Sequence, residues 1–274
     1  MHTTIFEGKR VRLQSDKAVA VLFFSNPPSG TMDDLTEGEL LEALDLIDAA
    51  AAVRVVILTG AQEGVFIRHY DVGVLERVGR KMAARGKTFD VSRPVPESPI
   101  HVAQRRIEQS ERIFIAAING VAMGGGCEMA LACDLRIAQR GNYRIGLPEV
   151  NIGLLPGAGG TQRMARLLGQ ARALELILQG KTIEPDEAQR IGLVSEVCDG
   201  PVLAHSLALA ERLAAKHPRA LAHVKRLVRG AWDRPLDSGL AEERTLICEL
   251  MIDARTIDAM TAMNQGRLHI ETGE

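Results

Sequence analysis

Two glutamates, Glu128 and Glu149, stand close in sequence to two glycine clusters, Gly124-Gly125-Gly126 and Gly157-Ala158-Gly159-Gly160. Three glycines ahead of a helix let the backbone approach a ligand and leave peptide N–H groups free at the positive end of the helix dipole. Such a turn suits an oxyanion developing on a carbonyl, although tight strand-to-helix packing would also ask for glycine. Glu128 lies two residues past the first cluster, in the first turn of that helix. There a dipole-stabilising or capping carboxylate is the plain structural alternative. Glu149 follows Leu147-Pro148, and the proline keeps it off a regular helix. Two carboxylates near each other and near N–H donors can divide their roles. One is held protonated while the other stays ionised, giving an acid and a base in one site.

Competing chemistries fail on spacing. Met129 stands where the first cluster would need the last glycine of a dinucleotide fingerprint, and Gln162 does the same in the second. No Gly-Lys-Ser/Thr follows either cluster, which excludes a P-loop. Cys127, Cys133, Cys198 and Cys248 form no CxxC pair, so a zinc site or dithiol motif is not expected, and they read as small buried apolar residues in a reducing compartment.

The elements that must position these residues alternate. Ala18–Phe24, Val53–Leu58, Ile113–Ile118 and Leu135–Ala138 are short apolar runs that read as buried strands. Asp33 or Asp34 can cap a helix whose apolar face carries Leu35, Leu40, Leu41, Leu44 and Ile47. The glycine-rich turn after Ile118 leads into helix through about Cys133. Strand, turn and helix in repetition predict an α/β fold with parallel strands and helical crossovers. Residues 76–112 mix charges with Pro94, Pro96 and Pro99 and read as short helices and loop. Their basic residues suit either phosphates or a solvated face. From Pro201 the pattern is helical, over 207–215, 219–230, 238–251 and 256–264. This divides the chain into a core of residues 1–200 and a helical region of residues 201–274.

A net charge of −2 and an aromatic content of 3% argue against a nucleic-acid partner or an anionic membrane surface. The opening MHTTIFEGKRVRL has no long apolar stretch behind a basic region. Neither signal peptide nor membrane span is expected, and a cytoplasmic location follows.

The stretch Ala117-Ile118-Asn119-Gly120-Val121-Ala122-Met123-Gly124-Gly125-Gly126-Cys127-Glu128 resembles the AxNGxAxGGGxE segment of the enoyl-CoA hydratase/isomerase (crotonase) superfamily. So do Leu147–Gly153 and Leu155–Arg163, and Ala188–Val194 looks like the family's AxxxGLV stretch. The resemblance covers nearly the whole chain. It implies a spiral of ββα units with a C-terminal helical trimerisation region, trimers or hexamers, acyl-CoA substrates, no prosthetic group and no metal. It implies Gly125 and Tyr70 as the two N–H donors of an oxyanion hole and Glu128 and Glu149 as the catalytic pair. Gly157 then helps to hold the water, and coenzyme A contacts fall at Ser29, Thr31, His69, Asp71 and Val72. Family members that only shift a double bond commonly lack the first glutamate. Both are present here, so hydration of a trans-2-enoyl-CoA, a step of fatty acid β-oxidation, is expected. Double-bond isomerisation, CoA-ester hydrolysis or non-catalytic acyl-CoA or RNA binding are the alternatives.

The pattern breaks in one place. The family's (S/A)AGAD becomes Ile67-Arg68-His69-Tyr70-Asp71, with histidine for the glycine and tyrosine for the small donor. A backbone N–H survives both changes. The glycine, however, is replaced at a point where an unusual backbone angle could be needed. The bulky side chains either point away from the pocket or line it. The Glu128–Glu149 spacing is also one residue longer than in typical hydratases of the family, with Arg140-Gly141-Asn142 as the place for a loop insertion.

Overall fold

The computed structural model describes residues 3–271. The ends of the two predicted regions, residues 1–2 and 272–274, lie outside the described residues. In chain order the fold opens with β1 (Thr3–Glu7), β2 (Val11–Asp16), β3 (Val19–Phe24) and α1 (Asp34–Ala49). Then come β4 (Val55–Gly60), β5 (Gly64–Ile67), α2 (Val72–Ala84) and α3 (Pro99–Gln109). The centre is β6 (Ile113–Ile118), β7 (Gly120–Met123), α4 (Gly125–Ala132), β8 (Leu135–Gln139) and β9 (Ile145–Gly146). Next are α5 (Gly160–Leu168), α6 (Gln170–Leu178), β10 (Thr182–Ile183), α7 (Pro185–Arg190) and β11 (Glu196–Cys198). The chain closes with α8 (Val202–Ala215), α9 (Pro218–Arg229), α10 (Leu236–Met251) and α11 (Ala254–Asn264).

Two sheets organise these elements. The larger has the order β1-β2-β3-β4-β6-β8-β11 and the smaller β10-β9-β7-β5. From β3 to β11 the large sheet is parallel, while β1 and β2 add antiparallel at its edge. Each repeat crosses from the large sheet to the small one: β4 then β5, β6 then β7, β8 then β9. This is the ββα spiral implied by the resemblance.

The central strands are buried on both faces, which is why they read as continuous apolar runs rather than alternating ones. Successive side chains still go to opposite sides. Val55, Ile57, Ile113, Ile115 and Ala117 pack with Ala210 and Ala214 of α8. Val56, Leu58, Phe114, Ala116 and Ile118 join the core formed with α1, α3 and α4. Helix α8 therefore packs directly on the large sheet. In α9, Lys225 Nζ donates to the carbonyls of Ile107 and Arg112, both at 2.8 Å, and pairs with Asp134 at 2.9 Å.

The start of α1 is a capping box on Asp33, with Thr36 N donating to Asp33 Oδ1 at 2.9 Å. Leu35, expected on its apolar face, is exposed, and Thr36, Glu37, Leu40, Ala43, Leu44 and Ile47 turn inward instead. Leu35 sits about 100° of helical rotation from Thr36, which carries it off the buried stripe. Cys127, Cys133 and Cys198 are buried as expected, whereas Cys248 is exposed because α10 presents no buried residue. Among the basic residues of the charged stretch, Arg80, Arg105 and Arg106 are held in ion pairs with Glu76, Glu97 and Asp48. Among the described residues, no helix is long and apolar enough to cross a membrane.

The crossings between the sheets are tight. Asn119 Oδ1 accepts from Gly60 N at 3.0 Å, and Asn119 Nδ2 donates to Gln62 O at 2.9 Å, tying the β6–β7 turn to the β4–β5 turn. A Cβ on Gly120 would overlap the backbone of Gly64 and Val65. Gly120→Ala is therefore expected to lower stability by about 1–3 kcal/mol, read as a fall in the urea midpoint at constant m-value.

Candidate active site

The Gly124-Gly125-Gly126 turn connects β7 to α4, and each glycine has a separate reason. Gly124 has φ +48°, ψ −125°, a conformation open to glycine. A Cβ there would also lie 3.1 Å from Glu149 Oε1. A Cβ on Gly126 would overlap the carbonyl of Ile67 at the end of β5. Gly125 begins α4, so its N–H has no intrahelical acceptor. A Cβ on Gly125 would sit 3.4 Å from Tyr70 N, so the two peptide groups are neighbours.

Tyr70 occupies a short parallel bridge with Met32. Met32 N donates to His69 O at 2.9 Å and Asp71 N donates to Met32 O at 2.7 Å. The Tyr70 N–H between them makes no backbone hydrogen bond among the described residues. Lys17 is the sole non-glycine residue with positive φ among the described residues. His69 thus takes an ordinary backbone angle where the family pattern has glycine, and no strain attaches to the substitution.

Glu128 projects from α4 and is only 3% exposed. It does not cap its own helix. Its Oε1 accepts from Ala158 N at 2.7 Å and from Gly160 N at 2.8 Å, at the start of α5. Burial outweighs these two donors and holds the carboxyl above the ordinary carboxylate range. A Cβ on Gly160 would lie 2.9 Å from Glu128 Oε1, so this glycine makes room for the carboxylate. Gly157, expected to help hold a water, has an N–H with no backbone partner among the described residues.

Glu149 opens a 3-10 turn, Glu149–Ile152, after Pro148. Its carboxyl is pushed up to about 7, first by burial and then by the negative charge of Glu128. Its Oε2 is buried and has no hydrogen-bond partner among the described residues. The site thus holds two mutually repelling carboxyls, one gripped through Oε1 by two N–H donors and one with a buried oxygen left over. Among the described residues, no cluster of three or more His, Cys, Asp or Glu side chains is arranged to hold a metal ion.

The enoyl-CoA hydratase/isomerase family profile matches residues 14–265. The chain belongs to this family. It is 35% identical over 268 residues to the short-chain-enoyl-CoA hydratase of Clostridium acetobutylicum, covering 95% of this chain and 97% of that one. It is 36% identical to a probable enoyl-CoA hydratase of Bacillus subtilis, over 80% of this chain and 81% of the relative. Among solved structures, an enoyl-CoA hydratase from Bacillus anthracis superimposes with a TM-score of 0.82 at 30% identity, covering 97% of this chain and 100% of the other. Pseudomonas aeruginosa DspI superimposes with a TM-score of 0.83 at 30% identity, over 96% and 97% of the two chains.

Within this member of the enoyl-CoA hydratase/isomerase family, the five residues expected to touch coenzyme A share one rim. Arg68 N donates to Gly30 O at 2.8 Å, which lays the turn of Ser29 and Thr31 against residues 68–72. Ser29 and Thr31 hydroxyls lie 2.9 Å apart. Asp71 Oδ1 accepts from Val74 N at 3.1 Å as the N-cap of α2, so its carboxylate has a structural task, and Val72 is exposed beside it. Arg68 turns outward, with Nε donating to Ser29 O at 2.9 Å. The His69 ring meets Tyr70 O at 2.7 Å, and burial, with the negative charge of Glu37 on α1, pushes the Tyr70 hydroxyl well above its usual pKa. Arg140–Asn142 lies in the loop after β8, as expected of an inserted residue.

Three residues were not singled out by sequence reasoning. His101 Nε2 meets Gly157 O at 2.9 Å, and Arg163 Nη1 donates to Ala158 O at 2.8 Å. Arg163 is itself held by Glu108 at 2.7 Å, so α3 braces the loop that grips Glu128. Glu37, buried on α1, is the third. Ser98-Pro99 followed by His101 is a helix-start signal that would have located α3.

Proposed function

We propose that this chain is an enoyl-CoA hydratase that reversibly adds water to a trans-2-enoyl-CoA, giving a 3-hydroxyacyl-CoA. The observation that carries this reading is the pair of carboxyls, buried Glu128 and half-buried Glu149, both with raised affinity for a proton, beside two peptide N–H groups without a backbone partner among the described residues. The N–H groups of Gly125 and Tyr70 bind the thioester oxygen and stabilise the charge it gains. Glu128 takes a proton from the water as its oxygen bonds to the β-carbon. Glu149 gives its proton to the α-carbon, and the π electrons of the double bond form that C–H bond. The pair holds one proton before and after the step, so proton transfer between the two glutamates restores the starting state. Gly157 N–H helps to hold the water. Coenzyme A arrives as part of the substrate, along the rim of Ser29, Thr31, His69, Asp71 and Val72, and no prosthetic group or metal takes part.

The reading extends to assembly. Residues 201–274 serve as an oligomerisation region, giving a homotrimer or a hexamer of paired trimers in the cytoplasm. Helices α10 and α11 support this, since they bury no residue in the single chain and expose Ile247, Met251, Ile257 and Met260.

The test is direct. Pure protein incubated with crotonyl-CoA and longer enoyl-CoAs should bleach the conjugated-thioester absorbance and give a product heavier by one water. No bleaching at any chain length overturns the reading, and a product of unchanged mass indicates isomerisation instead. The pH dependence adds a second check. Reaction needs the glutamate pair singly protonated. With Glu149 at about 7, kcat/KM should fall as pH rises through that value. Hydration neither releases nor consumes a proton, so the profile for dehydration of the 3-hydroxyacyl-CoA should coincide with it. A kcat/KM that rises through pH 7 and stays level above it contradicts the assignment.

A further inference from the structure

We propose that His101 is a positioning residue for the proton-accepting carboxylate, holding the peptide between Gly157 and Ala158 so that its N–H points at Glu128. The inference deepens the hydratase reading and rests on Glu128 as the group that takes the proton of the water. His101 Nε2 lies 2.9 Å from Gly157 O. That carbonyl belongs to the same peptide group as the N–H of Ala158, which donates to Glu128 Oε1 at 2.7 Å. A trans peptide points its C=O and N–H in opposite directions, so fixing one end aims the other. A donor on the carbonyl also polarises the amide and strengthens its N–H as a donor in turn.

The roles of the two ring nitrogens follow from their partners. Gly157 O can only accept, so Nε2 carries the hydrogen. Ser98 N donates to Nδ1 at 3.2 Å, and Ser98 Oγ lies 2.7 Å from the same nitrogen. The residue before α3 thus selects the tautomer that can reach the loop. The loop needs such a hold. Gly157 is exposed and has no side chain to restrict its torsions. Its carbonyl accepts from no backbone N–H among the described residues. A flip of this peptide would withdraw the Ala158 N–H and turn a carbonyl oxygen toward Glu128. The next peptide has a separate anchor, since Arg163 Nη1 donates to Ala158 O at 2.8 Å and to Gln104 Oε1 at 3.0 Å. Arg163 Nε reaches Glu108 at 2.7 Å. His101, Gln104 and Glu108 follow at intervals of three and four residues, so they share one face of α3. Of these side-chain contacts, only that of His101 falls on a peptide whose N–H reaches Glu128. The apolar anchoring of α3 belongs to other residues, Ile100, Ala103 and Ile107, so packing alone does not ask for a histidine here.

The experiment follows crotonyl-CoA hydration against pH in three variants. His101→Phe removes both ring nitrogens. His101→Asn keeps an acceptor for Ser98 N but is too short to reach Gly157 O. His101→Gln carries an N–H at about the reach of Nε2 and can still donate to that carbonyl. Phe and Asn should each lower kcat about tenfold, with KM within about twofold. The acid limb of kcat/KM, where the glutamate pair takes a second proton, should move up by about one pH unit, because a charge-assisted hydrogen bond to Glu128 is weakened. The alkaline limb near 7 should stay, since Glu128 is ionised on both sides of it. Gln should restore kcat to within about threefold of wild type and return the acid limb to its place. Arg163, Glu149 and His101 are the charged or titratable groups that act on Glu128. Asn and Gln both leave the first two intact and both lack an imidazole, so a purely electrostatic influence of His101 would move both variants alike. Asn keeps the helix-start contact, so it tests the inference even where Phe fails to fold. A profile for Asn that matches wild type, or equal shifts for Asn and Gln, overturns the positioning role. Wild-type protein that hydrates no enoyl-CoA overturns the reading of Glu128 on which it rests.

Discussion

Glu149→Gln is expected to lower kcat for hydration by about 10³-fold, in the middle of the range for loss of a positioned proton donor. The amide keeps the shape of the carboxyl and can still hydrogen-bond, but has no proton to give to the α-carbon. KM should change little, because coenzyme A is held along the separate rim. Stability should move the other way. A carboxyl whose folded-state pKa lies above its ordinary value of 4.5 destabilises the fold once pH exceeds 4.5, and the full cost is present above about 7. Glu149→Gln removes that cost, so its Tm should exceed wild type at pH 8 and match it at pH 4. Steady-state kinetics and two thermal melts decide this. Near-wild-type kcat would remove Glu149 from the chemistry.

Glu128→Gln is expected to cost about the same, roughly 10³-fold in kcat, because the amide cannot take the proton of the attacking water. The amide oxygen can still accept from Ala158 N and Gly160 N, so the loop should keep its place. Glu128→Ala offers the contrast. It leaves both buried donors unmet, at about 1–3 kcal/mol each, and should melt earlier as well as being inactive. Equal Tm values for the two variants would mean that the carboxylate does not hold the loop. The Glu128→Gln/Glu149→Gln double variant should be little slower than either single one, as expected for residues that act as a unit.

The central strands of the large sheet, β3, β4, β6 and β8, were legible because they are covered on both faces. β6 coincides with the apolar run Ile113–Ile118, and β3 and β4 lie within two residues of their expected limits. The four tail helices were placed by their apolar periodicity. The antiparallel β1 and β2 escaped notice because their exposed and intermediate positions give no run to read. The small sheet escaped for a different reason. β9 and β10 are two residues each, and β7 finds β5 from more than 50 residues away. Such strands exist because a partner is presented to them, and local composition carries little trace of the partner.

The site divides along the same line. The glycine turn, Glu128 and Glu149 were found in sequence because their chemistry depends on residue type and on spacing along one chain segment. So was the departure at residues 67–70, as a difference from the family pattern. What the sequence left open were the directions of the side chains there and the loads they carry. Tertiary structure decided that Arg68 faces out, that His69 needs no glycine-like backbone, and that Tyr70 turns in to pack against the core. It also decided that Glu128 serves the 158–160 loop rather than its own helix, and that Glu149 keeps one buried oxygen unpaired. These depend on burial and on partners brought together by folding, and both arise from the packing of distant segments rather than from the residues alone.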